Sequence, residues 1–208
     1  MSDEFVTAHQ FQKDYLKTIF TEGDYIRILN FIEYVCRHPR ASPYFSDHIN
    51  FALAEAKAPY RMMDKSIVAY VSDEEGAAVA QAVELTANNK FASARSHLIA
   101  AGRELALGNW ADSVRESIHA VESVAVLVDP TSKTLSAALQ KLEKAERINP
   151  NFKRGVNALY DYTSDEKGIR HAKIFEDEVN VGETEALYMF GSCASFVTYL
   201  IRKADNVA

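Results

Sequence analysis

The sequence has little cysteine, proline and glycine: of 208 residues, two are cysteine, five are proline and eight are glycine. This scarcity excludes a disulfide-stapled scaffold and a collagen-like chain. Hydrophobic residues make up 48% of the chain and charged residues 25%, a balance that excludes a disordered protein. We therefore expect a globular protein whose core is large enough to fold unaided.

The two cysteines are far apart, and both Cys36 and Cys193 lie in an apolar helical pattern. We expect both to be buried free thiols. The chain also lacks a Gly-rich phosphate loop, a G-x-S-x-G sequence, an H-E-x-x-H sequence and a cluster of Cys and His residues. Nucleotide-binding, serine-hydrolase and zinc classes therefore lack their minimum parts, and we expect no metal and no cofactor.

A basic and apolar leader is missing from the N-terminus, so we expect a cytoplasmic protein. The longest uncharged run, Ala186 to Ile201, has 16 residues, fewer than the roughly 20 that a membrane span needs. The formal net charge is −6, from 29 acidic and 23 basic side chains. This charge disfavours electrostatic coating of nucleic acid by the whole protein, but a local basic patch remains open.

Helical periodicity dominates the chain, and two short β-favouring runs, Tyr60–Met63 and 67–71, predict a hairpin. A capping box at Ser72 and Glu75 predicts one helix start. The other helices are predicted over 24–38, 42–57, 91–107, 110–128, 134–145, 149–162 and 183–203. The predicted fold class is mainly all-α, with an N-terminal subdomain of helices and hairpin over 1–71 and a helical bundle over 72–208.

One polar constellation lies on the helix that begins at Trp110. Asp112, Arg115, His119 and Glu122 follow at steps of three, four and three, so they share a helix face. A solvated face with paired opposite charges would explain them. The functional alternative makes His119 an acid or base and Arg115 a cation, with the two carboxylates in support.

A second constellation, Gly168-Ile169-Arg170-His171, precedes the last helix in a predicted loop, where an ordinary polar loop is the alternative. Both Arg-His pairs suit metal-independent RNA cleavage, in which a base activates the ribose 2′-OH and a cation stabilises the phosphoryl charge. Basic residues before this loop could form a phosphate track or simply a solvated face. These are Lys141, Lys144, Arg147, Lys153, Arg154 and Lys167, of which Lys153, Arg154 and Lys167 are the candidate RNA-binding residues.

Four stretches resemble the N-terminal domains of AbiJ-type abortive-infection proteins, a branch of the HEPN superfamily. They are 24–37, the hairpin that begins at Ala58-Pro59-Tyr60-Arg61, the run 112–123 (DSVRESIHAVES) and 160–172 with its Gly-Ile-Arg-His. The resemblance spans roughly 24–202. It implies an up-and-down helical bundle, frequent homodimerisation with the site at the subunit interface, and metal-independent endoribonuclease activity in toxins and anti-phage systems.

The superfamily signature places four to six residues between an arginine and a histidine. Here Arg115 and His119 have three residues between them, and Arg170 and His171 are adjacent. Two functions follow as hypotheses: a ribonuclease toxin whose composite site combines both pairs, or an inactive module that binds protein or RNA. RNA, an antitoxin or another defence protein are candidate partners. A homodimer could form through the hairpin with Tyr60, Met62 and Met63.

Overall fold

The computed structural model describes residues 2–69, 73–129, 131–132, 134–145, 147–165 and 181–205. Within these ranges the chain is mainly helical with one small antiparallel sheet, which confirms the predicted fold class. The elements are α1 Ser2–Glu22, α2 Tyr25–Arg37, α3 Phe45–Glu55, β1 Tyr60–Met63, β2 Ser66–Ala69, α4 Asp73–Leu85, a 3₁₀ turn Asn89–Phe91, α5 Ala92–Ala106, α6 Trp110–Val128, α7 Leu135–Lys144, α8 Pro150–Asp165 and α9 Glu183–Asp205.

Local capping explains several helix starts. The Asp24 carboxylate accepts a hydrogen bond from the Arg27 amide at 2.7 Å, and Thr134 accepts from the Ala137 amide at 3.2 Å. The prediction for α3 was wrong by three residues, because the Ser42 hydroxyl accepts from the Tyr44 amide in a turn and the helix begins only at Phe45. Ser72 of the predicted capping box lies outside the described residues.

Helix α1 was not predicted, although it is 21 residues long. Among its described side chains Ile19 is buried, whereas Tyr15, Leu16 and Phe20 are largely exposed. Since few of the described apolar side chains of α1 are buried, the sequence pattern carries a weak signal for this helix.

The hairpin closes through a two-residue turn, with Met63 paired to Ser66. The intervening Asp64 and Lys65 both have positive φ, 48° and 62°, as the type I′ turn requires. The second strand, predicted over 67–71, begins one residue earlier at Ser66, and residues 70 and 71 lie outside the described residues.

The hairpin is held against α2 and α5. Glu33 of α2 is buried, and its carboxylate accepts from the Ile67 amide and from Arg37, each at 2.7 Å. Arg103 of α5 adds an ion pair at 3.4 Å. Helix α5 also packs closely against β2 at Gly102. A Cβ at this position would lie 2.3 Å from Val68 Cγ1, so the close packing requires glycine here.

Within the described residues, the buried apolar side chains form two clusters. In the larger cluster the helices from α4 through α9 pack together. The smaller cluster lies under the hairpin and contains Leu29, Ile32, Cys36, Met62, Ile67 and Ala106. Because Met62 is buried within the chain, it does not contribute to an exposed partner surface. The division of the chain at residue 71 stays a prediction.

The apolar residues that recur at helical spacing on α6 and α9 lie in the core. Val114, Ile118, Val121 and Ala125 of α6 are buried, as are Ala186, Phe190, Cys193, Val197, Leu200 and Ile201 of α9. Both cysteines are buried free thiols, as expected, and burial raises the pKa of Cys193 to about 12. Among the described helices, none combines the length and the apolar character that crossing a bilayer would require.

Candidate functional site

Helices α5 and α6 pack side by side in antiparallel directions, joined by a turn in which Gly108 has φ 78°. Both helices bury several small residues, and small side chains allow helices to approach closely. These are Ala94, Ala101, Ser113, Ser117 and Ala120. A hydrogen bond between the hydroxyls of Ser93 and Ser123, at 3.1 Å, marks the register of the two helices. One turn further along, this register places His97 opposite Glu116 and His119.

These three residues form a polar cluster, which we call the histidine cluster (His97, Glu116, His119). His97 Nδ1 lies 2.7 Å from Glu116 Oε2, and the rings of His97 and His119 are 5.2 Å apart at 67°. Because a carboxylate only accepts hydrogen bonds, Nδ1 of His97 carries a proton, and Nε2 of the neutral ring has the free lone pair. The site therefore holds one imidazole oriented by a carboxylate and a second imidazole beside it.

Both histidines line a cleft of about 510 Å³, a volume within the usual range of small-molecule sites. Lys90 contributes a cation to it and Thr134 a hydroxyl. The other lining residues are Ser93, Glu122, Ser123, Val126, Leu127 and Leu135. The side chains of His97 and Glu116 are 31% and 22% exposed, so the cluster is reachable from solvent. Acid–base chemistry and ion binding are both available to such a group.

The four predicted residues of α6 do not share one set of contacts. Arg115 forms an ion pair with Asp112, whereas His119 faces His97 on α5. Glu122 accepts a hydrogen bond from the Tyr160 hydroxyl of α8 and lines the cleft. The predicted catalytic and supporting roles of these residues stay predictions, but only His119 and Glu122 of this set reach the cleft that the histidines share.

The second predicted constellation cannot be placed, because Arg170, His171 and Lys167 lie outside the described residues. The two remaining RNA-binding candidates have local partners. Lys153 forms an ion pair with Glu143, and Arg154 donates to the Asn151 side chain at 2.7 Å. RNA binding by Lys153 and Arg154 would therefore have to replace these contacts within the chain.

Sequence reasoning missed two members of the histidine cluster. Glu116 precedes His119 by three residues, and this Glu-x-x-His spacing on a helix is a usable signal for adjacent donor side chains. His97 carries no comparable local signal, because it comes next to His119 only through the packing of α5 on α6.

A larger cavity of about 650 Å³ lies among α4, α6, α8 and α9. Its lining is mainly apolar and aromatic, with Phe152, Phe196 and Tyr199 at one side. Cys193 also lines it, but a thiol whose pKa is raised to about 12 is a poor nucleophile. This cavity therefore suits apolar contact better than acid–base chemistry.

Residues 2–85 match the family model AbiJ N-terminal domain 4, a span that takes in α1 to α4 and the hairpin. No curated protein matches the chain, and neither does any solved structure. The match supports the resemblance to AbiJ-type domains over these residues. It ends at Leu85, so the histidine cluster on α5 and α6 lies outside it.

Proposed function

We propose that the chain is a metal-independent endoribonuclease of the HEPN type, acting in abortive infection or in a toxin–antitoxin system. The observation that carries this proposal is the meeting of two imidazoles from different helices in one cleft, with one imidazole held by a carboxylate. The similarity of residues 2–85 to an AbiJ domain supports the abortive-infection context.

In the proposed reaction the phosphorus of a phosphodiester forms a bond to the neighbouring ribose 2′-oxygen, and its bond to the 5′-oxygen of the next nucleotide breaks. Neutral His97 accepts the 2′-OH proton at Nε2, and the Glu116 carboxylate stabilises the imidazolium that forms. The 2′-oxygen attacks phosphorus while protonated His119 donates a proton to the departing 5′-oxygen. The products are a 2′,3′-cyclic phosphate and a 5′-hydroxyl end, and DNA is excluded because it lacks the 2′-OH.

Negative charge that develops on the phosphoryl oxygens needs a cation. Lys90 lines the cleft, whereas Arg115 is paired with Asp112. Arg170 and His171 remain candidates for a composite site with the α6 residues, within one chain or across a homodimer. In that arrangement they would supply the second cation and a further imidazole.

The test is incubation of the pure protein with total RNA and tRNA in EDTA. Wild type should cleave, and His97→Ala and His119→Ala should each be slower by about 100-fold or more, the usual contribution of acid–base groups. His48→Ala is the matched control, since His48 is an exposed histidine on α3. Equal rates for wild type, His97→Ala and His119→Ala would contradict the mechanism.

The double variant Arg170→Ala/His171→Ala tests the composite site in the same assay. Loss of cleavage in this variant, with its helix content intact, would show that the predicted loop is part of the active site. Full cleavage would show that neither Arg170 nor His171 belongs to the active site. The 3′ ends should be cyclic phosphates in every active sample.

The second candidate function is a non-catalytic module that binds protein or RNA. It is favoured by the ion pairs of Arg115 with Asp112 and of Lys153 with Glu143, which occupy cations that cleavage would use. If folded wild-type protein leaves every RNA whole, this function replaces the ribonuclease. Pull-down of RNA or protein partners would then be the next experiment.

A further inference from the structure

The histidine cluster has the donor atoms of a metal site. One ring nitrogen from each histidine and one Glu116 carboxylate oxygen all lie within 4.8 Å of one another. We propose that His97, Glu116 and His119 bind one divalent transition-metal ion of the Zn²⁺ class, and that this ion switches RNA cleavage off. The binding half stands by itself, whereas the inhibitory half rests on the proposed function.

The three ligands come from two rigid helices. Glu116 and His119 are three residues apart on α6, so their side chains project from the same face. His97 lies at the same level of α5, and the hydrogen bond between Ser93 and Ser123 one turn away fixes the register of the two helices. A preformed arrangement of this kind lowers the entropy lost when the ligands close around an ion.

The donor atoms are close enough that small movements would bring them to bonding distance of one ion. Metal–ligand bonds of about 2.1 Å at tetrahedral angles place donor atoms roughly 3.4 Å apart. His97 Nδ1 and Glu116 Oε2, now 2.7 Å apart with a proton between them, must separate slightly, and the other donor pairs, which lie within 4.8 Å, must approach by at most about 1.4 Å. An ion would replace that shared proton, because the ligating nitrogen has to be deprotonated.

The ligand types select the class of ion. Imidazole suits Zn²⁺, Co²⁺, Ni²⁺ and Cu²⁺, whereas Mg²⁺ and Ca²⁺ prefer oxygen ligands. Two histidines and one glutamate are also the ligand set of an open zinc site, which leaves a fourth position for water or another small ligand. Here that position would face the cleft that both histidines line.

Inhibition follows from the shared atoms. An ion bound at Nδ1 of His97 leaves the proton of the neutral ring on Nε2, so the Nε2 lone pair that accepts the 2′-OH proton in the proposed reaction is lost. The hydrogen bond from Nδ1 to Glu116 is lost as well. Zn²⁺ would therefore act as a reversible inhibitor of a reaction that needs no metal.

Binding is tested with Co²⁺ alone on metal-free protein, because tetrahedral Co²⁺ with nitrogen and oxygen ligands absorbs visible light. Wild type and His48→Ala should bind one ion per chain, and Zn²⁺ should displace it. Each of His97→Ala, Glu116→Gln and His119→Ala should weaken binding by about tenfold or more. A variant that keeps wild-type helix content and unfolding midpoint is folded well enough for comparison.

No absorption at one equivalent of Co²⁺, or equal binding by wild type and all three variants, would overturn the metal site. Inhibition is tested by adding Zn²⁺ to the cleavage assay with EDTA left out. The half-inhibitory concentration should equal the dissociation constant from displacement, and EDTA should restore cleavage. Stoichiometric binding with unchanged cleavage would overturn the inhibitory half. Binding by a protein that never cleaves RNA would leave the metal site and overturn the proposed function together with the inhibitory half.

Discussion

Glu33 of α2 and Glu116 of α6 each accept a hydrogen bond of 2.7 Å from another element, but their surroundings differ. The Glu33 side chain is 5% exposed and has three partners: the Ile67 amide, Arg37 and Arg103. The Glu116 side chain is 22% exposed, and within the described residues its partner is His97. One carboxylate is saturated by the fold, whereas the other lies beside a cleft with an ionisable partner.

The comparison shows what distinguishes a carboxylate that stabilises the fold, Glu33, from one that is available for chemistry, Glu116. A buried carboxylate needs opposite charge and hydrogen bonds on every side, so Glu33 cannot change its partners without loss of stability. Glu116 lies where water, a proton or an ion can reach it, and its hydrogen bond orients an imidazole whose other nitrogen can accept a proton. The hairpin depends on the first arrangement, and the proposed reaction depends on the second.

Removal of the saturated carboxylate should have the largest effect on stability. Glu33→Ala should lower the free energy of unfolding by about 2–4 kcal/mol, because it leaves the buried Ile67 amide unsatisfied and takes the shared partner from the partly exposed Arg37 and Arg103. Urea unfolding followed by circular dichroism measures this. Glu116→Ala is the matched control and should change the free energy by less than about 1 kcal/mol. Equal losses in the two variants would contradict the comparison.

The packing of the hairpin on α5 can also be tested with glycine substitutions that change no charge. Gly102→Ala adds a methyl group 2.3 Å from Val68 Cγ1 and should lower the free energy of unfolding by about 1–3 kcal/mol. Gly155→Ala, on α8 with nothing within 4 Å of the added carbon, should raise it by about 0.5–1 kcal/mol. If both variants are stabilised, β2 does not pack on α5 as described.

Asp129, which follows the last residue of α6, is a third carboxylate for comparison. Its pKa is set mainly by hydrogen bonds and not by burial. Hydrogen bonds from Ser132, Lys141 and Thr131 hold the pKa of Asp129 well below its ordinary value. A lowered folded-state pKa contributes stability above the unfolded value of about 4, and this contribution is lost as the pH falls toward the folded value.

Asp129→Asn should therefore unfold at a lower temperature than wild type at pH 7, and the gap should narrow as the pH falls below about 4. Thermal unfolding at pH 7, 4 and 3 measures the gap. A difference between the two proteins that stays constant over this range would show that the ionised form of Asp129 has no special stabilisation.

The smallest effect on stability is expected at the cleft. His97→Ala removes a partly exposed pair, so the free energy of unfolding should change by about 1 kcal/mol or less, even though cleavage is lost. The same urea titration measures it. A loss comparable to that of Glu33→Ala would make His97 a structural residue and weaken the case for chemistry at this cluster.

Sequence patterns predicted the elements whose information is local. The bounds of α6 and the buried faces of α6 and α9 follow from helical periodicity, and the short β-favouring runs predicted the hairpin. Helix α1 was missed because few of its described apolar side chains are buried. The family match over 2–85 is also narrower than the span of 24–202 that the motifs suggested.

The candidate site depends on information that is not local. His119 was identified from its helix face, but its partner His97 is 22 positions away and meets it only through the packing of α5 on α6. Glu33 gave no signal, because a charged residue within an amphipathic helix usually faces solvent, and its partner Ile67 is 34 residues along the chain. Pairing between elements is set by close packing, which the order of residue types does not state.

The most direct test of the difference between the two carboxylates is to measure RNA cleavage and the unfolding midpoint on the same preparations of Glu33→Gln and Glu116→Gln. Glu116→Gln should keep a midpoint near that of wild type and cleave at least about tenfold more slowly. Glu33→Gln should unfold earlier but cleave at the wild-type rate per folded molecule. Slower cleavage by Glu33→Gln, together with a wild-type rate for Glu116→Gln, would contradict the assignment of chemistry to the α5–α6 cleft.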